Sequence, residues 1–347
     1  MRKWTALFLT VVILLSGCGS GKEAGQMQPS DGTAWAEQEE TAAFTVNGEE
    51  IGLREWNFYV RMNQMQWEKA YLEECGDGMW SQTEEDGTTW ADSLKEEVFE
   101  TICQLHLMNQ WADEHEINLS EEALQDVSER SSEFMKAYNE ALLDYAGADE
   151  TFIYERLQER ERADLAIETL ASECEPKIPE EDYHREGICY VLISTTGLRD
   201  EEGNLTPFTD EEVERRTQLA FSLSEKAKAS GSLKTDAEAE GLTPIEYSVG
   251  KTNDYEVREH RMLDAARALS AGEVSDPVET EEGWFIVQHT NDYDEDGTAY
   301  WKTYLEDLAR EEYYQKQYEQ MREAADIRRN QEIMDQVNVK IVLKELL

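Results

Sequence analysis

Basic residues are what this sequence has least of for its size. Across 347 residues, 32 Lys and Arg stand against 77 Asp and Glu, a formal net charge of -45. A surface of that sign repels phosphodiester backbones and anionic lipid, which excludes nucleic acid as a partner. Most of the acid reads as a solvated, self-repelling surface; attraction for cationic unfolded chains or Ca²⁺ is the second reading. Cysteine and histidine are also sparse, at five each. Cys75, Cys103, Cys174 and Cys189 form no C-x-x-C pair and match no zinc spacing, so buried free thiols are expected. His106, His115, His184 and His260 form no spaced cluster, and no metal site is expected from them. Long apolar runs are missing too: the longest, Trp4 to Leu15, is too short to span a bilayer.

That run follows Arg2 and Lys3 and has the length of a signal-peptide core. Leu15-Ser16-Gly17-Cys18 after it resembles a bacterial lipobox, which implies cleavage before Cys18 and a lipid on its thiol. Residues 1–17 are therefore expected to be a lipoprotein signal peptide. Membrane attachment is expected through Cys18, on the extracytoplasmic face. Residues 18–43 are polar and acidic with little periodicity, as in a flexible tether.

Beyond the tether the composition is that of a folded protein, with 40% hydrophobic residues, nine Trp and fifteen Tyr. Phe44 to Ile51 alternates about Asn47-Gly48, a two-residue hairpin signal. A helix is expected from Leu53 through Tyr71, and a glycine-containing loop from Glu74 to Thr89. Leu94, Val98, Ile102, Leu105 and Trp111-Ala112 recur at helical spacing between Trp90 and His115. Ser120 is placed to cap a helix from Glu121 to Tyr145, ended by Gly147. Another helix follows from Phe152 to Ala171. Trp56, Phe58, Tyr59, Met62, Met65, Trp67 and Tyr71 crowd the first helix on more than one face. Most are expected in the core, and some in a cleft for apolar segments, where Met gives adaptable contacts.

In the second half, Ile188 to Ile193 reads as a central strand. Thr209-Asp-Glu-Glu212 is a capping box opening a helix that ends by Gly231. A short helix from Leu233 to Glu240, a strand at Ile245 to Val249 and a helix from Val257 to Leu269 follow. Gly272 is expected to close that last helix in the left-handed C′ position. Pro277 then fixes an extended arm, and Trp284-Phe285-Ile286-Val287 reads as a strand in the middle of a sheet. The tail is expected as a helix from Ala299 to Val337, then a strand through Leu343 that pairs with the Phe44 hairpin and buries its edge.

Gly272-Glu-Val-Ser-Asp-Pro-Val-Glu-Thr280 with its flanking helix and strand resembles the C-terminal half of a parvulin, a rotamase-type peptidyl-prolyl isomerase domain. The strand and helix order over residues 187–292 is parvulin order. Val46-Asn47-Gly48 to Ile51, followed by a helix and then by a long helix ending in Ile117-Asn-Leu-Ser120, resembles the N-terminal chaperone region of SurA-type and PrsA-type foldases. The resemblance implies an α+β protein. A mostly helical N- and C-terminal chaperone domain (residues 44–176 and 299–347) would carry an inserted parvulin-like α/β domain, in a cell that the lipobox suggests is Gram-positive.

Prolyl isomerisation needs no nucleophile or cofactor, and none is implied. It needs an apolar cup for the proline ring and polar groups that favour the twisted amide. By the resemblance, the two family histidines fall on Tyr190 and Phe285, and the family's Cys or Asp has no counterpart between Asp236 and Leu242. Met262 and Tyr247 fall at the proline cup, with Trp284 beside it as a further substrate contact. Tyr190 or Ser275 is the candidate to replace an imidazole. His289 reads as a strand-end polar residue. Asp292, Asp294 and Asp296 copy the first half of an EF-hand loop, but Thr303 stands where a bidentate Glu is needed, so an acidic turn is preferred. The resulting expectation is a foldase for unfolded or proline-containing exported polypeptides, with isomerase activity weak or lost. An active isomerase and a non-catalytic surface scaffold remain the alternatives.

Overall fold

The computed structural model describes residues 41–199, 205–250, 260–339 and 342–343. The expected signal segment, Cys18 and nearly all of the tether lie outside the described residues. Two compact units result: Met1–Glu173 joined by Tyr313–Leu347, and Cys174–Glu312, which lies between those pieces in sequence.

The first unit opens with β1 (Ala42–Val46) and β2 (Glu49–Gly52), an antiparallel hairpin. Asn47 and Gly48 take φ of 54° and 86°. Two left-handed residues in a row give the turn that matches the twist of the flanking strands. Next come α1 (Leu53–Cys75), a 3₁₀ turn (Met79–Ser81) and α2 (Trp90–Glu114), whose first turn is capped by the Thr89 side chain accepting from the Asp92 N–H. Ser120 caps α3 (Glu121–Ala137) in the same way. The single helix expected to reach Tyr145 is broken: Asn139 leaves the helical region and caps a separate α4 (Glu140–Ala146) by accepting from the Leu142 N–H. An Asn side chain competes with the helix for that donor, and here it wins. Asp149 caps α5 (Glu150–Ser172).

The second unit runs α6 (Glu180–Tyr183), β3 (Arg185–Ser194), β4 (Gly197–Arg199), β5 (Leu205–Pro207), α7 (Asp210–Ser230), α8 (Leu233–Ala239), β6 (Ile245–Gly250), α9 (His260–Arg267), β7 (Val278–Glu279) and β8 (Gly283–Asn291). Its antiparallel sheet has the order β6-β3-β8-β7, so Trp284–Val287 does lie on a central strand. Alternation assigns the faces. Cys189, Val191, Ile193 and Ile286 pack with Ala220, Leu223 and Leu233 of the α7 and α8 side. Ile188, Phe285 and Val287 pack with Met262 and Leu263 of α9 on the other. Gly272 does have positive φ, 87°. It does not cap a helix, because α9 ends at Arg267. Its N–H instead donates to the His289 carbonyl at 2.7 Å, starting a short run of bonds along β8.

Helix α10 (Glu295–Ala324) carries the chain back into the first unit, followed by β9 (Ile327–Arg329) and α11 (Gln331–Met334). The tail therefore departs from expectation. The strand beside β1 is β9, giving the order β2-β1-β9. Lys340 and Ile341 of the expected final strand lie outside the described residues, and 337–339 and 342–343 are not in a strand. Val337, Val339 and Leu343 are buried all the same. Side chains of α1 hold this segment in place of a ladder: Arg61 donates to the Asn338 carbonyl at 2.8 Å, and Glu68 accepts from the Leu343 N–H. An alternating apolar pattern records burial, and burial is satisfied here without a strand partner.

Candidate functional site

The crowded aromatic and Met positions of α1 separate by face. Trp56 is fully buried against Phe44, and its Nε1 donates to the Met334 carbonyl at 3.1 Å. Trp67 and Tyr71 join Trp80 and Trp90 in an aromatic group. Phe58, Tyr59, Met62 and Met65 point elsewhere and line a cleft of about 270 Å³, closed by Phe134 and Tyr138 at the end of α3 and by Ile153 and Leu157 of α5. Residues 58, 62 and 65 share a face because they are four and three apart on a helix. The rings hold one another: Phe58 and Phe134 are 6.1 Å apart and Phe134 and Tyr138 4.7 Å. Two thioethers in this wall let the lining adjust to differently shaped apolar groups. Arg130, Arg156, Arg160 and Asp164 complete the lining.

Behind the cleft lies a charged network that nothing in the sequence reading anticipated. His106 of α2 is bonded through Nδ1 to Glu49 of β2 at 2.8 Å and through Nε2 to Glu55 of α1 at 2.9 Å. Arg156 of α5 bonds Glu55 from the far side and Glu159 at 2.6 Å. Burial by itself works against a charged imidazole, but the bonds to Glu49 and Glu55 more than offset it and hold the His106 pKa up at about 10. Burial likewise acts against Glu55, and Arg156 and His106 reverse it, leaving that carboxyl below its usual range. At Glu159 burial prevails over Arg156, pushing it up to about 7. Burial also raises the Tyr59 phenol well above its ordinary range. The members are scattered over more than a hundred residues of sequence at no characteristic spacing, so no linear pattern reveals them. Arg156 belongs to both features: it is among the residues that line the cleft, and its guanidinium binds Glu55 and Glu159 of the network.

In the second unit, four of the expected positions lie together. Tyr190, Phe285, Met262 and Tyr247 share one face of the sheet, with the Tyr190 and Phe285 rings 5.9 Å apart and tilted by 47°. Burial raises the Tyr190 phenol pKa. The other positions are not brought to this group. Trp284 faces α7, where its ring lies 5.2 Å from Phe221 and its Nε1 donates to Thr217 at 3.1 Å, because residue 284 must point opposite to 285 on a strand. Ser275 is buried and its hydroxyl accepts from the Val287 N–H at 3.0 Å, so it serves the sheet edge. Both ring nitrogens of His289 sit 2.9 Å from backbone carbonyls, of Leu269 and Asn291, which ties the strand end.

The acidic turn has a local explanation. Asp294 accepts from the Gly297 N–H at 3.1 Å in the first turn of α10, and the Asp292 carbonyl is 2.9 Å from the His184 ring. Among the described residues no group of His, Cys, Asp or Glu is arranged to hold a metal ion. Cys75, Cys103, Cys174 and Cys189 are free thiols. Burial pushes Cys103 up to about 12 and Cys189 up to about 11, which makes both poor nucleophiles.

No curated protein matches the chain. Among solved structures it is similar to a SurA-like chaperone of Campylobacter jejuni, from work on the virulence factor PEB4 and the periplasmic protein Cj1289, with 12% identity over 83% of this chain and 98% of that one and a TM-score of 0.30. It is similar to the foldase protein PrsA of Streptococcus pneumoniae, with 15% identity over 77% of this chain and 100% of that one and a TM-score of 0.32. The peptidylprolyl isomerase PrsA of Bacillus cereus gives 18% identity over 76% and 97%, with a TM-score of 0.29. Likenesses at this level carry no argument about activity. The family model of the SurA-like N-terminal domain matches residues 4–143, which include β1, β2, α1, α2, α3 and most of α4. The matched part of the chain is therefore similar to a SurA-like N-terminal domain, and it supplies two of the three walls of the cleft.

Proposed function

We propose that this protein is a lipid-anchored, extracytoplasmic foldase that holds unfolded segments of exported polypeptides in the helical unit, and that its α/β unit is a parvulin-like domain with little or no isomerase activity. The cleft carries this reading. An opening of about 270 Å³ lined by Phe58, Tyr59, Met62, Met65, Phe134 and Tyr138 suits one or two apolar side chains of a client and has no nucleophile aimed into it. The net charge of -45 keeps such a holder soluble while apolar groups are engaged. Tyr190 and Phe285, at the positions where parvulins carry imidazoles, preserve an apolar packed face without the polar pair that favours a twisted amide. Cys18 is the expected attachment point.

The test is aggregation of several unrelated unfolded proteins, followed by light scattering with and without the chain. The expected result is suppression of all of them near equimolar ratio, weakened by Met65→Ala with Tyr138→Ala, both half-buried positions of the lining. Suppression that survives both substitutions unchanged would place the holding surface outside the cleft.

A further inference from the structure

The aromatic group at the other end of α1 is outside the cleft and has no part in the function just proposed. Trp67 is the hub, with its ring 6.2 Å from Tyr71, 6.1 Å from Trp80 and 6.0 Å from Trp90. Tyr71 and Trp90 are 5.7 Å apart. Trp80 is buried and its Nε1 is bonded to Glu68, so it backs the group. Tyr71 is 45% exposed, and Trp67 and Trp90 are half-buried.

Two observations say what this face would take. The first is charge. Residues 68–97 hold ten carboxylates against two lysines, Lys69 and Lys95. Glu74 lies three residues beyond Tyr71 on the same helix face and has no ion-pair partner among the described residues. The second is what the chain does with its own cations. Arg329 stacks over Phe99 at 3.6 Å, Arg185 over Trp301 at 3.9 Å and Arg54 over Phe152 at 4.4 Å. Among the described residues no cation covers Trp67, Tyr71, Trp80 or Trp90. Aromatic faces attract guanidinium and ammonium groups, and the excess of carboxylates in this segment, with Glu74 beside Tyr71, adds to that attraction.

We propose that Trp67, Tyr71 and Trp90, with Glu74 at their margin, form a docking face for the Arg or Lys side chains of a polypeptide partner. This face is separate from the cleft and works whether or not the cleft holds clients. It would give the protein a preference for basic segments that apolar contacts alone do not supply.

The experiment titrates the full chain with three labelled peptides of one sequence carrying three Arg, three citrulline or three Glu, read by anisotropy. The Arg peptide is expected to bind, more weakly as salt rises, the citrulline peptide to bind less tightly and the Glu peptide not at all. Tyr71→Ala and Glu74→Gln should each weaken the Arg peptide about two- to ten-fold, the scale of one partly exposed cation–aromatic contact. Both sites are exposed, so the fold survives either change. Tyr138→Ala in the cleft should leave this binding unchanged. No binding of the Arg peptide, equal binding of the Arg and citrulline peptides, or indifference to Tyr71→Ala overturns the proposal. Loss on Tyr138→Ala alone would move the binding to the cleft and also overturn it, while leaving the holding function intact.

Discussion

The imidazole of His106 and the carboxylate of Glu55 lie 2.9 Å apart in the interior of the helical unit, each about 7% exposed at the side chain. They join α2 to α1, and Glu49 and Arg156 extend the contact to β2 and α5. A single cluster, buried at His106 and Glu55 and open to solvent at Glu49, thereby ties four elements of the unit that carries the cleft.

Removing the imidazole leaves two carboxylates facing each other behind the cleft. His106→Leu is expected to cost on the order of 3 kcal/mol, since breaking a buried pair strands its partner's charge. Urea unfolding at pH 6 measures it. A loss of less than about 0.5 kcal/mol would mean that Arg156 alone suffices for Glu55.

The same residue sets a pH dependence. Its folded pKa, about 10, lies above the ordinary 6.5. The stability it contributes is therefore fully present below pH 6.5 and is lost as pH rises from 6.5 toward 10. Thermal melts across that window should fall for the natural chain and fall less for His106→Leu.

Glu159 acts with the same sign at lower pH. Its folded pKa of about 7 lies above the ordinary 4.5, so its contribution is complete below pH 4.5 and declines up to about pH 7. Glu159→Gln should remove that decline while leaving the window above pH 7 to His106. Superimposable pH profiles for the two chains would show that Arg156 keeps Glu159 ionised throughout.

Gly283 tests the second unit independently. Its φ is 139°, and a Cβ there would lie 2.2 Å from the Ile193 carbonyl oxygen. Neither the dihedral nor the space admits a side chain, so Gly283→Ala is expected to destabilise this unit by about 1–3 kcal/mol. Hydrogen exchange of the β3 and β8 amides reads the effect locally.

For the isomerase positions, the full chain should leave a short X-Pro peptide exchanging at its unaided rate, on the order of tens to hundreds of seconds. Tyr190→His with Phe285→His restores imidazoles at the two positions on this face and should raise the rate. Catalysis by the natural chain would assign an active role to the Tyr190 hydroxyl.

Local chemistry was legible residue by residue. Asn47-Gly48 made its hairpin, Ser120 and Thr209 capped the helices they precede, and the β-branched run at Ile286 took the centre of a sheet, because each outcome depends on groups within a few residues. Asn139 shows the limit of such reading: an amphipathic pattern ran through it, and a competing side-chain cap divided the helix. What the sequence by itself determined was therefore the α+β class, the helices opened by Ser120 and Thr209, and a strand alternation that puts Tyr190 and Phe285 on one face; the same alternation turns Trp284, expected beside them, to the other face. The tertiary structure alone decided three things. It chose β9 as the partner of β1, since any exposed extended segment can satisfy an edge. It sorted Met62 and Met65 into a cleft and Trp56 into the core, because helical periodicity names a face without naming what covers it. It gathered Glu49, Glu55, His106, Arg156 and Glu159, because attraction between charges acts through distance in space, and chain separation leaves no mark of it in a linear pattern.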